Sequence, residues 1–243
     1  MVTKNEIKQV ASLRQQKFRK ELGLFVVEGR KMVEELLHSR FTVKALYATE
    51  ACHDLFPQAE LVTEVQMEQM SGQDTPPGIL AVANIPAMRQ LSPSSRFILA
   101  LDGIANPGNM GTLIRTAEWF GIHDIVCSPD CVEIWNPKVI QATMGSIFRT
   151  NVIDADLTQF LPEQQHQGKA IYGALLEGKN LFEMGDCKNG VIVIGSESHG
   201  IRKEVLPCIS CPITIPRIGA SQTESLNASV AAGIIMAELT RRP

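Results

Sequence analysis

Six short apolar runs with almost no interruption, each ending in a polar loop or a helical pattern, limit what this chain can fold into. They are FILALD (97–102), DIVCSP (124–129), NVIDA (151–155), AIYGALL (170–176), GVIVIGS (190–196) and CPITIP (211–216). A strand with one wet face alternates apolar and polar residues. A run without that alternation is buried on both faces, as in a parallel sheet covered by helices. Helical patterns are read over 109–120, 136–148, 156–166, 201–207 and 225–241. The fold class is therefore α/β, a parallel sheet flanked by helices, with ligands expected in loops at the carboxyl ends of the strands.

Residues 1–88 read as a smaller α/β unit with a different pattern. A basic helix over 4–21 precedes the short strand LFVVEG (24–29) and the amphipathic helix RKMVEELLHS (30–39). Strand-like VKALYA (43–48), AELVTEV (59–65) and GILAVANI (78–85) follow, with a short helix after the second. The segment PAMRQLSPSS (86–95) carries Pro and Ser without a period, which places a linker at 89–96 and a second domain at 97–243.

The formal charge of −3 conceals an uneven distribution: residues 1–44 hold ten Lys and Arg against five Glu. A basic segment of this kind supplies the electrostatic part of nucleic-acid binding. Arg14, Lys17, Arg19, Lys20 and Arg30 are the candidate phosphate contacts. The same charges also fit a solvated helix face with pairs such as Arg30–Glu34 at i,i+4 spacing. No apolar run reaches membrane-spanning length and no signal-like segment follows the first residues, so a cytoplasmic protein with reduced thiols and no membrane association is expected. Cys127/Cys131 and Cys208/Cys211 have the spacing of metal half-sites, but no His accompanies either pair. Packed structural thiols, and no metal, are expected.

Three loops carry candidate chemistry. NPGNMGTLIR (106–115) turns from a strand into a helix whose free N–H groups favour anions, and Arg115 beyond Asn109 can clamp a phosphate through two hydrogen bonds. GSESHG (195–200) puts Glu197 at a strand tip, where it serves either as a site carboxylate or as a charge at the start of the next helix. TESLNASVAAG (223–233) offers Ser225 as a helix N-cap, Asn227 beside it and a run of small residues for close packing. No GxxxxGK[ST] or strand-linked GxGxxG is present, so nucleotide hydrolysis and dinucleotide chemistry lose support.

In order and spacing, DGIANPGNMGTLIRTAEWFG (102–121), GSESHG and IPRIGASQTESLNASVAAGIIMAEL (215–239) resemble the three signature motifs of the SpoU/TrmH family of RNA ribose methyltransferases, over roughly residues 96–243. The resemblance implies a C-terminal trefoil knot, S-adenosylmethionine as cofactor, and a homodimer formed through the C-terminal domain with Arg115 facing the partner's cofactor. It also implies catalytic roles for Arg115, Asn109, Glu197, Ser225 and Asn227. Cofactor contacts are implied for Ala174, Leu175, Leu176, Gly195, Ser196, Gly200, Ile215 and Leu226. The chain departs from the commonest form of the third motif with Arg217, Ala228 and two extra residues between Gly219 and Glu224, and from the second with Ser198 after the Glu. SLRQQKFRKELGLFVVEGRKMVEELL (12–37) resembles the ribosomal-protein-like substrate-binding domain of the family. The implied function is 2′-O-methylation of a structured RNA, ribosomal RNA foremost and tRNA next. Its rivals are a non-catalytic RNA-binding or ribosome-assembly factor on the same fold, and a nucleotide-dependent oxidoreductase.

Overall fold

The computed structural model describes residues 2–87, 90–219 and 223–241, which form two compact units. The first comprises residues up to Ala87 together with Glu133–Arg149. Its elements are α1 (Lys4–Ser12), α2 (Gln16–Leu22), β1 (Leu24–Glu28), α3 (Arg30–Leu37), β2 (Val43–Ala48), α4 (Glu50–His53), β3 (Glu60–Leu61), α5 (Glu64–Met70) and β4 (Ile79–Asn84). The sheet runs β1-β4-β2-β3, antiparallel except for the β2–β3 pair. One core joins Ile7, Val10 and Leu13 to Leu24, Val26, Met67, Leu80 and Val82.

The single helix expected over 4–21 is two helices, with Gln15 extended between them. The last carbonyls of a helix lack intrahelical partners. Here the Arg19 guanidinium reaches back to the carbonyls of Leu13 (2.7 Å) and Arg14 (2.9 Å), while its other nitrogens bond the Glu133 carboxylate. The strand expected over 59–65 contracts to Glu60–Leu61, because Thr63 and Gln66 form a capping box that starts α5.

Residues 133–149 pack with this unit although the 97–243 boundary assigns them to the second. Trp135 stacks 4.7 Å from Phe25, and Phe41 meets both Trp135 and Phe148 edge-on. Glu133 pairs with Arg19, and Arg149 pairs with Glu35. The helix expected over 136–148 breaks into α7 (Pro137–Thr143) and a 3₁₀ turn, Ser146–Phe148. Gly145 at the break has φ +96°, and a Cβ there would lie 2.9 Å from Glu35 Cγ.

The second unit holds β5 (Phe97–Asp102), α6 (Pro107–Trp119), β6 (Asp124–Cys127), β7 (Asn151–Asp154), α8 (Leu157–His166), β8 (Ala170–Asn180), β9 (Gly190–Gly195), β10 (Cys211–Thr214) and α9 (Ala228–Thr240). Its six-stranded sheet is parallel throughout, in the order β10-β8-β9-β5-β6-β7. The central strands β5, β9 and β6 are buried along almost their whole length, as runs without alternation require. The chain moves outward from β5 through β6 to β7 and then fills the other side. The order thus reverses between β5 and β9, where open α/β sheets form their ligand crevice.

No α-helix forms over 201–207. The Arg202 backbone N–H and Nε donate instead to buried Asp102, and Pro207 enters a 3₁₀ turn, Leu206–Cys208. Of the linker, Met88 and Arg89 lie outside the described residues. The rest is fastened to the second unit: Ser92 N–H and the Ser95 hydroxyl donate to Asp124, and Lys169 Nζ donates to the Ser95 carbonyl at 2.6 Å. Among the described residues no helix is long and apolar enough to cross a membrane.

Candidate active site at the sheet switch point

β5 and β9 end side by side, Asp102 opposite Gly195. Past β5, Asn106 caps α6 by accepting from the Gly108 and Asn109 N–H groups, and Pro107 occupies the first helical position. This sets Asn109 in the first turn. Past β9, Ser196 and Gly200 exchange backbone hydrogen bonds of 3.1 and 2.9 Å, closing a tight loop with Glu197 at its tip. A Cβ on Gly195 would fall 2.1 Å from the Gly200 backbone, so the close approach that requires glycine here is to the chain's own loop.

The third participant is the start of α9. Its N-cap is Asn227, not the expected Ser225: Asn227 Oδ1 accepts from the N–H groups of Ser229 (3.0 Å) and Val230 (3.4 Å). Asn227 Nδ2 then donates to Asn109 Oδ1 at 3.2 Å, and Asn109 Nδ2 donates to Glu197 Oε1. The Ser229 hydroxyl lies 2.6 Å from Asn227 Oδ1 and 3.2 Å from Asn109 Oδ1. Asn109, Glu197 and Asn227 therefore meet, although 118 residues separate the outer two. Ser229 was not legible as a site residue, because in a run of small residues it looks like packing.

A buried tie supports the cluster. Asp102, fully buried, accepts from Arg202 Nε at 2.6 Å and from its N–H at 2.7 Å, holding the loop after β9 to the end of β5. Burial opposes the Arg202 charge. The Asp102 hydrogen bond and the negative charges of Asp102, Asp130 and Glu204 outweigh it and raise the guanidinium above its ordinary range. Beside the same turn, the Cys131 sulfur meets the Ile104 N–H at 3.3 Å. The Cys127 thiol, through its hydrogen bond, lowers Cys131 to about 7 against burial.

The remaining expected residues divide. Arg115 is exposed and makes no hydrogen bond or ion pair among the described residues. Six residues past Asn109 at 3.6 per turn, it lies roughly 120° around the helix, on the stripe of Gly108, Thr112 and Trp119. Ser225 is exposed and outside the cluster. Between β8 and β10 the pairing jumps from Gly173–Pro212 to Lys179–Ile213, so Ala174, Leu175 and Leu176 belong to a bulge inside β8, just past the end of its pairing with β9. Thr214 Oγ1 ties the Leu176 carbonyl at 3.0 Å. Ile215 follows β10, Gly195, Ser196 and Gly200 lie at the end of β9 and its closing loop, and Leu226 precedes Asn227 at the start of α9. Leu176, Ile218 and Leu226 leave 72, 89 and 47% of their surface exposed there, apolar cover suited to a flat heterocycle.

In the first unit the candidate phosphate contacts mostly have other work. Arg19 is 2% exposed and bound to Glu133, which removes it as an RNA contact. The Arg14 guanidinium donates to the carbonyls of Gln69 and Ser71, and Arg30 pairs with Glu34. Lys17 and Lys20 remain exposed.

A sequence profile described as the SpoU rRNA Methylase family matches residues 96–237, and one described as an MRM3-like substrate binding domain matches residues 4–81. Among curated relatives, the 23S rRNA (guanosine(2553)-2′-O)-methyltransferase RlmP of Bacillus subtilis is 30% identical over 240 residues, covering 96% of this chain and 95% of its own. Among solved structures, a putative TrmH-family RNA methyltransferase from Porphyromonas gingivalis superposes with TM-score 0.89 at 35% identity, covering 100% of both chains. An AdoMet-bound rRNA methyltransferase from Sinorhizobium meliloti gives TM-score 0.87 at 25% identity, covering 99% of this chain and 96% of its own.

Proposed function

Because the chain belongs to the SpoU rRNA methylase family, we propose that it transfers a methyl group from S-adenosylmethionine to the 2′-oxygen of a ribose in ribosomal RNA, in the cytoplasm. The observation that carries this reading is the meeting of Asn109, Glu197 and Asn227 at the switch point, beside the strand-end segments 174–178, 195–200 and 215–219. The bulge after Gly173 and the exposed Leu176, Ile218 and Leu226 fit an adenosyl group. When bound, S-adenosylmethionine supplies an electrophilic methyl on a sulfonium.

The residues then divide the work. Glu197, held through one oxygen by Asn109, keeps its other oxygen to accept a hydrogen bond from the 2′-hydroxyl. Arg115 is not assigned the proton, since a guanidinium offers hydrogen-bond donors and no acceptor. Its fork binds the phosphate beside the target ribose and stabilises the developing alkoxide. Ser225 lines the substrate side. Lys17 and Lys20 of the first unit supply charge for the RNA backbone.

A homodimer belongs to the same reading. α9 is apolar on nearly all its faces, yet Val230 is exposed, and α6, which packs on α9, exposes 84% of Trp119 on the stripe that carries Arg115. A second copy covering that stripe would bring Arg115 to its partner's cofactor loops. The trefoil knot belongs to the same proposal through the family match over residues 96–237.

The test is transfer of tritium from labelled S-adenosylmethionine to ribosomal RNA stripped of modification, followed by alkaline hydrolysis. Label retained in an alkali-resistant dinucleotide supports a 2′-O product. Label in a free base, or none although S-adenosylhomocysteine binds, would overturn it.

A further inference from the structure

The hydrogen bonds around Asn109 run in one direction, and the start of α9 sets it. Asn227 cannot turn its amide over, because its Oδ1 must face the Ser229 and Val230 N–H groups that it caps. Its Nδ2 therefore points at Asn109, where only an oxygen can receive it. The Ser229 hydroxyl lies between the two amides and shares its single proton, 2.6 Å from Asn227 Oδ1 and 3.2 Å from Asn109 Oδ1. An amide oxygen has two lone pairs and an amide nitrogen two hydrogens. With Oδ1 engaged by Asn227 and Ser229, and one N–H given to Glu197, Asn109 retains a single free hydrogen for a ligand.

We infer that Ser229 is a positioning residue for methyl transfer: with the capping Asn227 it locks the amide of Asn109 so that a donor, never an acceptor, faces Glu197. The inference rests on the functional reading above and adds a residue and a direction to it. Ser229 is buried, on the side of Asn109 away from Glu197, and acts through the two amides, steadying Asn227 at 2.6 Å and touching Asn109 at 3.2 Å. A turned amide would set its oxygen against the Glu197 carboxylate, two acceptors without a proton between them. Asn227 alone resists that turn through one 3.2 Å bond; the hydroxyl fixes the Asn227 amide that makes this bond and adds the longer arm of a shared hydrogen bond to Asn109.

The experiment compares Ser229→Ala and Ser229→Thr with the unaltered full chain. The alanine variant should lower kcat about tenfold, the effect of one hydrogen bond of ~1.4 kcal/mol, with KM for RNA and the S-adenosylhomocysteine Kd within twofold. The threonine variant keeps the hydroxyl and should recover most of the rate. In ¹⁵N-labelled protein, the Asn109 side-chain amide should exchange with water slowly in the unaltered and threonine forms and as fast as an exposed amide in the alanine form. Full activity in Ser229→Ala, an equal loss in Ser229→Thr, or a loss matched by weaker S-adenosylhomocysteine binding would each overturn the inference. The amide signal reads the hydrogen bonds without methyl transfer: if the unaltered chain transfers no methyl, the functional reading fails while exchange still decides this one.

Discussion

The two units use polar side chains in opposite ways. In the second, Asn109, Glu197 and Asn227 sit at element ends, the first half-buried and the others exposed, and bond one another across long stretches of sequence. In the first, the side chains with the greatest sequence signal for ligand binding are turned inward or neutralised: Arg19 closes α1, Arg14 binds two carbonyls and Arg30 binds Glu34. The strand-end loops thus hold the polar cluster, whereas Arg14, Arg19 and Arg30 are bound within their own unit. A loop residue at a strand end has few structural duties, whereas an arginine near a helix end can satisfy orphan carbonyls.

The largest test of this contrast is at Arg115, whose guanidinium has no structural partner among the described residues. Arg115→Ala should reduce kcat by about 10²–10³, the usual loss when a transition-state donor is removed. Melting temperature should hold, and Arg115→Lys should not restore the rate, since a point charge cannot form the bidentate fork. A collapse in melting temperature would make Arg115 a structural residue like Arg19.

Arg19→Ala should do the reverse. Glu133 would be left partly buried without its cation, and the α1 carbonyls without a donor, a loss of about 3–5 kcal/mol. Denaturant unfolding should show it, while kcat of the surviving folded protein stays near normal. Unchanged stability with weakened RNA binding would return Arg19 to the RNA surface. Charge reversal at Lys17 and Lys20 should be milder, lowering RNA affinity severalfold and flattening its salt dependence by about two counterions. Filter binding at several salt concentrations measures this, and an unaltered slope would leave those lysines as ordinary solvated charge.

The smallest effect is local. Cys131, lowered to about 7 by the Cys127 hydrogen bond, should alkylate with a rate that climbs through pH about 7. The sign follows from the depressed value: the thiolate is populated above that pH and lost below it. Cys127→Ala should move the inflection upward toward the ordinary thiol range, as followed by mass spectrometry of iodoacetamide adducts.

Much of this was legible beforehand. Strands without alternation announced a parallel sheet, and three of the loop residues singled out, Asn109, Glu197 and Asn227, come together. The strand over 59–65 fails to a local capping box at Thr63 and Gln66, while other failures trace to distant partners. Arg19, held by Glu133 114 positions on, closes the break between α1 and α2, and Asp102, a hundred positions earlier, holds the Arg202 N–H and Nε where a helix over 201–207 was expected. Ser229 carries no polarity pattern that separates it from its small neighbours, and its role depends on a residue 120 positions earlier.

The excursion of residues 133–149 has a consequence for exchange between proteins. Trp135, Phe148 and Glu133 complete an aromatic cluster and an ion pair whose other halves are Phe25, Phe41 and Arg19, yet they are encoded beyond the linker. A recombination joint at residues 89–96 would inherit one half of that set from each parent. Substrate-recognition modules in such chains are therefore not free cassettes: a graft succeeds only when its donor segment and the helix-bearing excursion travel together, and otherwise the hybrid begins life with unmatched aromatic rings and a stranded carboxylate.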